Sequence, residues 1–411
     1  AVALRRAGLA VLLLDARTPD SEARRILGSL GAPALLRCPG GWPAGPQDWT
    51  LTRLEPFAAE PADPETGFVK LTSGSTGIPR GIATPSAALM ADDAALTAAM
   101  GLRPGAPGDR FLATIPLSHS YGLSSLAVPA LVRGTPLVIP EEAGVYPFVT
   151  AARLGATFYP AVPAYLDALV RMSDPPPRPD CLRLVITAGA PLAAATSACF
   201  RERFGLAVHV FYGSSECGGI CYDREGGAAE RGTVGSPIAG VRITLEPIEG
   251  KAATCCEGSL GIVTVESPAV SRGYLPEPDG RLANGRFRAG DVAFWRNGEL
   301  VLRGRLDDVV NVKGKKVDPR EVEGVLAQLT GVDEAAVLGV SCAGRNGEML
   351  RAVVACRPGR LTAEDVVAWC RSHLSSHKVP RSVILVDALP RNARGKLDRS
   401  ALVALGIEPR G

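Results

Sequence analysis

The chain has 411 residues, of which 46% are apolar and 21% charged, with a formal net charge of +3. That length predicts two or three soluble globular domains, and so small a charge imbalance argues against a nucleic-acid-binding surface. No run of about 20 apolar residues occurs, which excludes a helical membrane span.

In chain order, residues 1–60 read as the end of a βαβ unit. The run Val11-Leu12-Leu13-Leu14 predicts a short buried strand, and 21–30 a helix with Ala23, Ile26 and Leu27 on one face. Residues 39–64 are rich in Pro and Gly and read as loop. A polar run follows, Lys70-Leu71-Thr72-Ser73-Gly74-Ser75-Thr76-Gly77-Ile78-Pro79-Arg80-Gly81. Its small residues pack poorly in a helix or strand. It fits either a flexible turn or a loop whose N–H groups and hydroxyls cradle an anion, with the Arg80 fork suited to phosphate. It is not a Walker loop, since no Gly-Lys-Ser/Thr closes it.

Beyond it, 87–100 predicts a helix, 111–115, 136–140 and 157–160 strands, and 165–172 a helix. Strands at 184–186 and 208–212 flank a helix over 192–204. This alternation predicts a largely parallel sheet covered on both faces. Between about 230 and 305 the texture changes to short β-rich runs, at 241–245, 262–265, 292–295 and 300–302, which predict a small antiparallel sheet or barrel. A new unit of about 100 residues starts near 305–310. Asp318-Pro319-Arg320-Glu321 opens a helix with a cap, a first-turn proline and a glutamate that reaches back. Strands follow at 336–340 and 351–355, then a helix capped by Thr362, then a strand at 382–386. The fold expected is α/β: a large domain over 1–305 with a β-rich part at 230–305, and a compact mobile α/β domain over 306–411.

The ten cysteines show no Cys-x2-Cys pair, and ten mostly apolar-flanked thiols fit a reducing cytosol; a cytoplasmic location is expected. Cys370, His373 and His377 have ligand-like spacing but no evident fourth ligand, so a structural zinc site is not expected. The chain opens on Ala1 without a methionine or a signal peptide, so something is expected to be missing upstream.

Chemistry-bearing residues cluster after strands, where ligands lie in open α/β sheets. Gly189-Ala190-Pro191 and Phe211-Tyr212-Gly213-Ser214-Ser215-Glu216 are such stretches; each also fits an ordinary strand-to-helix turn or a core aromatic with a solvated acid. His119, within Leu117-Ser118-His119-Ser120-Tyr121-Gly122, fits a structural histidine as well as a catalytic one. Asp291 stands in Ala289-Gly290-Asp291, Arg305 follows Gly304, and Lys396 sits near the C-terminus in Gly395-Lys396.

Together, in this order, these stretches resemble the adenylate-forming superfamily of acyl-CoA synthetases, firefly-luciferase-like enzymes and peptide-synthetase adenylation domains. The run 72–81 resembles its phosphate loop, Tyr212 to Glu216 its Tyr-Gly-x-Thr-Glu motif, and Ala289-Gly290-Asp291 its Thr-Gly-Asp motif. Gly304-Arg305-Leu306-Asp307-Asp308 resembles its hinge, and Gly395-Lys396 its catalytic-lysine motif. Arg80 stands where the family usually has Lys, Ser215 for Thr, and Ala289 for Thr.

The resemblance implies ATP-dependent conversion of a carboxylic acid to an acyl-adenylate, with loss of pyrophosphate. Transfer to a thiol then follows, most often that of CoA. Thr72, Ser73, Gly74, Ser75, Thr76, Gly77 and Arg80 would hold phosphates, and Glu216 with Thr72 would hold Mg2+. Gly189, Ala190, Pro191, Phe211, Tyr212, Gly213, Ser214 and Ser215 would frame the nucleotide, with Asp291 on the ribose. Arg305, His119 and Lys396 would form the catalytic set. His119, Tyr121, Gly189 and Gly213 would line the acyl pocket. Asp307 would be the hinge, and Lys313, Gly314 and Lys315 would face the thiol. The stretch 117–122 lacks the acid that amino-acid-activating relatives carry, so an acyl or aryl acid is expected. A carrier-protein phosphopantetheine as acceptor, a nucleotide-binding relative without turnover, and a homodimer stay open.

Overall fold

The fold is that of a computed structural model, which describes the chain except residues 1, 16–17, 38–48, 55–64, 73–79, 104–107, 141–146, 249–257, 306–309, 313–314, 318, 342–347, 375, 392–396 and 406–411. It divides into two compact units. One holds residues 1–244, 264–289 and 295–301; the other holds 245–263, 290–294 and 302–411.

The first unit opens with a short helix (Val2–Arg6), β1 (Val11–Leu12) and a helix (Asp20–Ser29), then the hairpin of β2 (Ala34–Arg37) and β3 (Thr50–Arg53). Residues 39–64 were expected to be all loop, so β3 corrects that reading. Thr50-Leu51-Thr52 is a short β-favouring alternation hidden among prolines and glycines. β4 (Thr66–Leu71) and β5 (Gly81–Pro85) form a second, antiparallel hairpin. Then come β6 (Phe111–Leu112), β7 (Leu137–Val138), β8 (Phe158–Ala161), β9 (Leu184–Thr187), β10 (Val208–Ser214), β11 (Gly218–Tyr222) and β12 (Ser236–Pro237). These seven make one sheet in the order β12-β11-β10-β9-β8-β6-β7. It is parallel from β10 through β9, β8 and β6 to β7, as the alternation of strands and helices predicts, and β11 and β12 add antiparallel strands.

The period-2 pleat explains its two cores. Leu112, Tyr159 and Val185 face a cluster with Phe148, Leu166, Phe200 and Phe204. Their neighbours Phe111, Phe158, Leu184 and Ile186 face a second cluster with Leu96, Ile115 and Phe211. Helices Pro163–Arg171 and Ala194–Phe204 cover the first face; Ser86–Ala99 supplies Leu96 to the second. Buried Asp109 receives Arg183 Nε at 2.7 Å, the Thr157 hydroxyl at 2.8 Å and the Arg103 amide at 2.6 Å.

Residues 242–305 are built of strands β13 (Arg242–Glu246), β14 (Gly261–Glu266), β15 (Gly273–Leu275), β16 (Leu282–Ala283), β17 (Arg286–Arg296) and β18 (Glu299–Arg305). β15 joins the β4–β5 hairpin, giving a four-stranded sheet in the order β1-β4-β5-β15. β16 and β17 pair antiparallel, with Leu282 opposite Phe287.

In the second unit, β19 (Val310–Val312) and β20 (Lys315–Val317) make a ribbon. β21 (Val332–Ser341), β22 (Glu348–Cys356) and β23 (Ser382–Val386) make a three-stranded sheet. Helices Pro319–Leu326 and Ala363–His373 pack on it through Val322, Leu326, Val366 and Cys370. Thr362 caps the latter as predicted: its hydroxyl accepts the Asp365 amide, and the Asp365 carboxylate accepts the Thr362 amide at 2.9 Å. Trp369 Nε1–H donates to the Val325 carbonyl at 2.9 Å, linking the two helices.

Candidate active site

The β4–β5 hairpin carries the polar run. Leu71 pairs with Gly81, and the Thr72 amide donates to the Arg80 carbonyl at 2.9 Å, so the ends of the loop are pinned together. Ser73, Gly74, Ser75, Thr76 and Gly77 lie outside the described residues. Arg80 is engaged: its guanidinium lies 4.0 Å over the Tyr274 ring and bonds Asp279 at 3.0 Å and the Glu277 carbonyl at 3.0 Å.

Strand alternation sorts the next motif. Phe211 is buried in the core, its ring 6.0 Å from that of Tyr121, whereas its neighbour Tyr212 is only half-buried. The pairing of β10 and β11 shifts register between Tyr212 and Gly213, and the strand then turns into Ser215 and Glu216. The half-buried Glu216 carboxylate is clasped by two hydroxyls, the Tyr274 phenol on Oε1 at 2.8 Å and Ser214 Oγ on Oε2. Burial, then the Glu216 charge, pushes the Tyr274 phenol up, so it stays a donor. The Glu216 carbonyl accepts the Ser271 amide at 2.8 Å. A hard carboxylate oxygen set fits Mg2+, and single hydroxyl donors leave each oxygen with lone-pair capacity.

His119 immediately precedes the short helix Ser120–Gly122, and its amide donates to the Pro116 carbonyl. Ser120 Oγ donates to Ser215 Oγ at 2.7 Å, which brings the His119 stretch against the Glu216 loop. Tyr121 donates to the Ala161 carbonyl at 3.2 Å, and burial pushes its phenol up. Gly189, Ala190 and Pro191 follow β9 as expected and lead to the helix at Ala194–Phe204.

Asp291 and Arg305 belong to the second unit and are neighbours there. The Arg305 guanidinium lies over Gly290, the residue before Asp291: a Cβ there would stand 2.9 Å from Arg305 Nη2, so a larger residue would make that side chain shift. Lys315 begins β20. Asp307, Lys313, Gly314 and Lys396 lie outside the described residues.

Sequence reasoning missed Lys70, Asp92 and Tyr274. Lys70 is 5% exposed and Asp92 2% exposed. The signal was legible: a lone lysine inside Phe68-Val69-Lys70-Leu71 and an aspartate pair inside an alanine-rich helix. Among the described residues no group of three or more His, Cys, Asp or Glu is placed to hold a metal, and no described helix is long and apolar enough to cross a membrane.

Residues 1–275 match the family model described as AMP-binding enzyme. The chain belongs to the AMP-binding enzyme family. Residues 321–396 match the model of the AMP-binding enzyme C-terminal domain. These are the adenylate-forming enzymes, and the relatives this chain matches include CoA ligases. It is 30% identical over 415 residues to a feruloyl-CoA synthase of Amycolatopsis sp, covering 96% of this chain and 79% of the relative. It is 29% identical to a probable CoA ligase of Humulus lupulus, covering 80% of this chain but only 64% of that AMP-binding enzyme. The fold matches O-succinylbenzoate coenzyme A synthetase (MenE) of Bacillus subtilis in complex with AMP. That match has a TM-score of 0.71 and 26% identity, and covers 84% of this chain and 69% of that one. MenE is also solved in complex with ATP and magnesium ion.

Proposed function

We propose that this chain activates a carboxylic acid lacking an α-amino group with ATP and then passes the acyl group to CoA. The observation that carries this is the Glu216 clasp at the end of the β10 strand, in a chain of the AMP-binding enzyme family. In the first step a carboxylate oxygen attacks the α-phosphorus and the bond to the β-phosphate oxygen breaks, releasing pyrophosphate. In the second, a thiolate attacks the acyl carbon and AMP leaves.

Two anions must meet in the first step, so the site works by positioning and positive charge. Thr72 and Glu216 hold Mg2+, which would neutralise the β- and γ-phosphates. The loop from Thr72 to Arg80 receives those phosphates, and Arg80 would exchange Asp279 for them. Tyr212 and the 189–191 turn flank adenine, Asp291 takes the ribose hydroxyls, and Arg305 stands beside it. Lys396 bridges carboxylate and α-phosphate. His119 and Tyr121, with Gly189 and Gly213, border the acid. Residues 1–305 form the ATP-binding domain and 306–411 a domain that turns about Asp307, with Lys313, Gly314 and Lys315 facing the thiol.

Exclusion of amino acids is supported by where the buried carboxylates described in the first unit stand and by the partner each already holds through at least one oxygen. Asp92 holds the Gly219 amide, Asp93 holds Arg133, Asp109 holds Arg183, and Asp223 holds the Ala228 amide. None of them stands in the 117–122 stretch.

The test is a hydroxylamine-trap screen with ATP, Mg2+ and acids of graded size, followed by CoA or a carrier-protein phosphopantetheine as acceptor. Hydroxamate with at least one non-amino acid, and thioester with CoA, are expected. No pyrophosphate exchange with any acid would overturn the reading, and thioester only on the carrier protein would replace the acceptor.

A further inference from the structure

Behind the Glu216 loop lies a buried pair of opposite charges that the adenylation reading does not use. Lys70 comes from β4 and Asp92 from the helix Ser86–Ala99. Lys70 Nζ donates to the Ser215 carbonyl at 3.1 Å, the peptide immediately before Glu216. Asp92 Oδ1 accepts the Gly219 amide at 2.9 Å, three residues after it. Asp92 comes so close that a Cβ on Gly218, whose φ is +69°, would run into its carboxylate. Two buried groups thus hold the loop from either side.

Burial weakens the Lys70 ammonium and raises the Asp92 carboxyl, and each charge favours the ionised form of the other, with Glu216 adding to the support of Lys70. Nothing about holding one carbonyl demands a charge there, since a neutral donor would serve. A charge-assisted bond is shorter and stiffer, and Asp92 offsets the cation so that it need not repel a metal ion at Glu216. Buried ions without such compensation are strongly destabilising.

We propose that Lys70 is a positioning residue for Glu216: it fixes the Ser215 peptide, and with it the direction of the metal-binding carboxylate, while Asp92 holds Gly219 and balances the charge. This rests on the reading that Glu216 holds Mg2+.

The test is calorimetric titration of ATP into acid-free protein, with and without Mg2+, and with AMP as a metal-independent control. In Lys70→Met the tightening of ATP binding by Mg2+ should fall roughly 10-fold, the scale of outer-shell effects on metal affinity, while AMP binds as before. Simple electrostatics predicts the opposite sign, because the variant removes a positive charge near a dication. A purely structural lysine predicts a lower Tm with the Mg2+ effect intact. Either result overturns the inference. Lys70→Met/Asp92→Asn leaves no lone buried charge and keeps an acceptor for Gly219, so it covers the case in which the single variant does not fold; the same loss is expected. Glu216→Gln separates the two claims: if it leaves the Mg2+ effect unchanged, the metal assignment itself fails, independently of Lys70.

Discussion

At the scale of single residues, the site is a set of side chains whose states are fixed by what surrounds them. The described cysteines are free, and burial pushes Cys217 well up and Cys370 up to about 11. Neither supplies a thiolate at neutral pH, and no step proposed above needs one. Alkylation with iodoacetamide at pH 7 followed by mass spectrometry should leave both unlabelled in the native protein and label both after denaturation. Labelling of native Cys217 would reopen a thiol role beside Glu216. Selectivity is also set residue by residue. With no acid in the 117–122 stretch, an α-ammonium would be buried without a partner, at several kcal/mol. Exchange with an α-amino acid should therefore be at least on the order of 100-fold slower than with its des-amino analogue. Equal rates would sink this. The placement of Glu216, Tyr212 and Gly189 at the ends of strands was legible in the chain because such stretches are local strings. The partners of Glu216 were not, because Tyr274 lies 58 residues away on β15, in a different sheet from the β10 strand that leads into Glu216.

At the scale of elements, the parallel strands and their helices were legible because fully buried strands read as apolar runs and their helices as one-sided stripes. The short strand Thr50–Arg53 was not, since proline and glycine around it outweighed four residues of pattern. One interaction holds the connection between elements that sequence could not pair. Asp109 ties Arg183, Thr157 and the Arg103 amide together at the entry to β6. Burial alone would raise its carboxyl, but the hydrogen bonds from Arg183, Arg103 and Thr157 win and hold it below the ordinary range. A lowered folded pKa stabilises fully above the unfolded value, and that contribution is lost as pH falls through the folded one. Asp109→Asn should therefore cost about 3–5 kcal/mol at pH 7, the scale for breaking a buried pair. The gap to wild type should narrow in acid, as read by urea melts across pH; a pH-independent gap would refute the electrostatic account. Thr362→Ala should cost about 1 kcal/mol through loss of the capping box, seen as a lower urea midpoint without a change in slope.

At the scale of the whole molecule, adenylation and transfer are proposed to need different arrangements of the 306–411 domain. Lys396→Ala should slow adenylation roughly 100-fold or more and spare thioester formation from supplied acyl-adenylate. Asp307→Pro, which fixes φ, should do the reverse. Equal losses in both half-reactions would remove the hinge proposal. That experiment needs a way to tell a domain that is folded but wrongly turned from one that has come apart. Trp369 provides it. Its indole is bonded to the backbone of the neighbouring helix and lies 4.0 Å from the His373 ring, so its light emission reports on the packing of these two helices. With the other tryptophans, Trp42, Trp49 and Trp295, changed to Phe, the chain becomes its own lamp. An emission maximum matching the parent in a variant that has lost one half-reaction marks a change of orientation. A red-shifted maximum marks unfolding, before any substrate has been found.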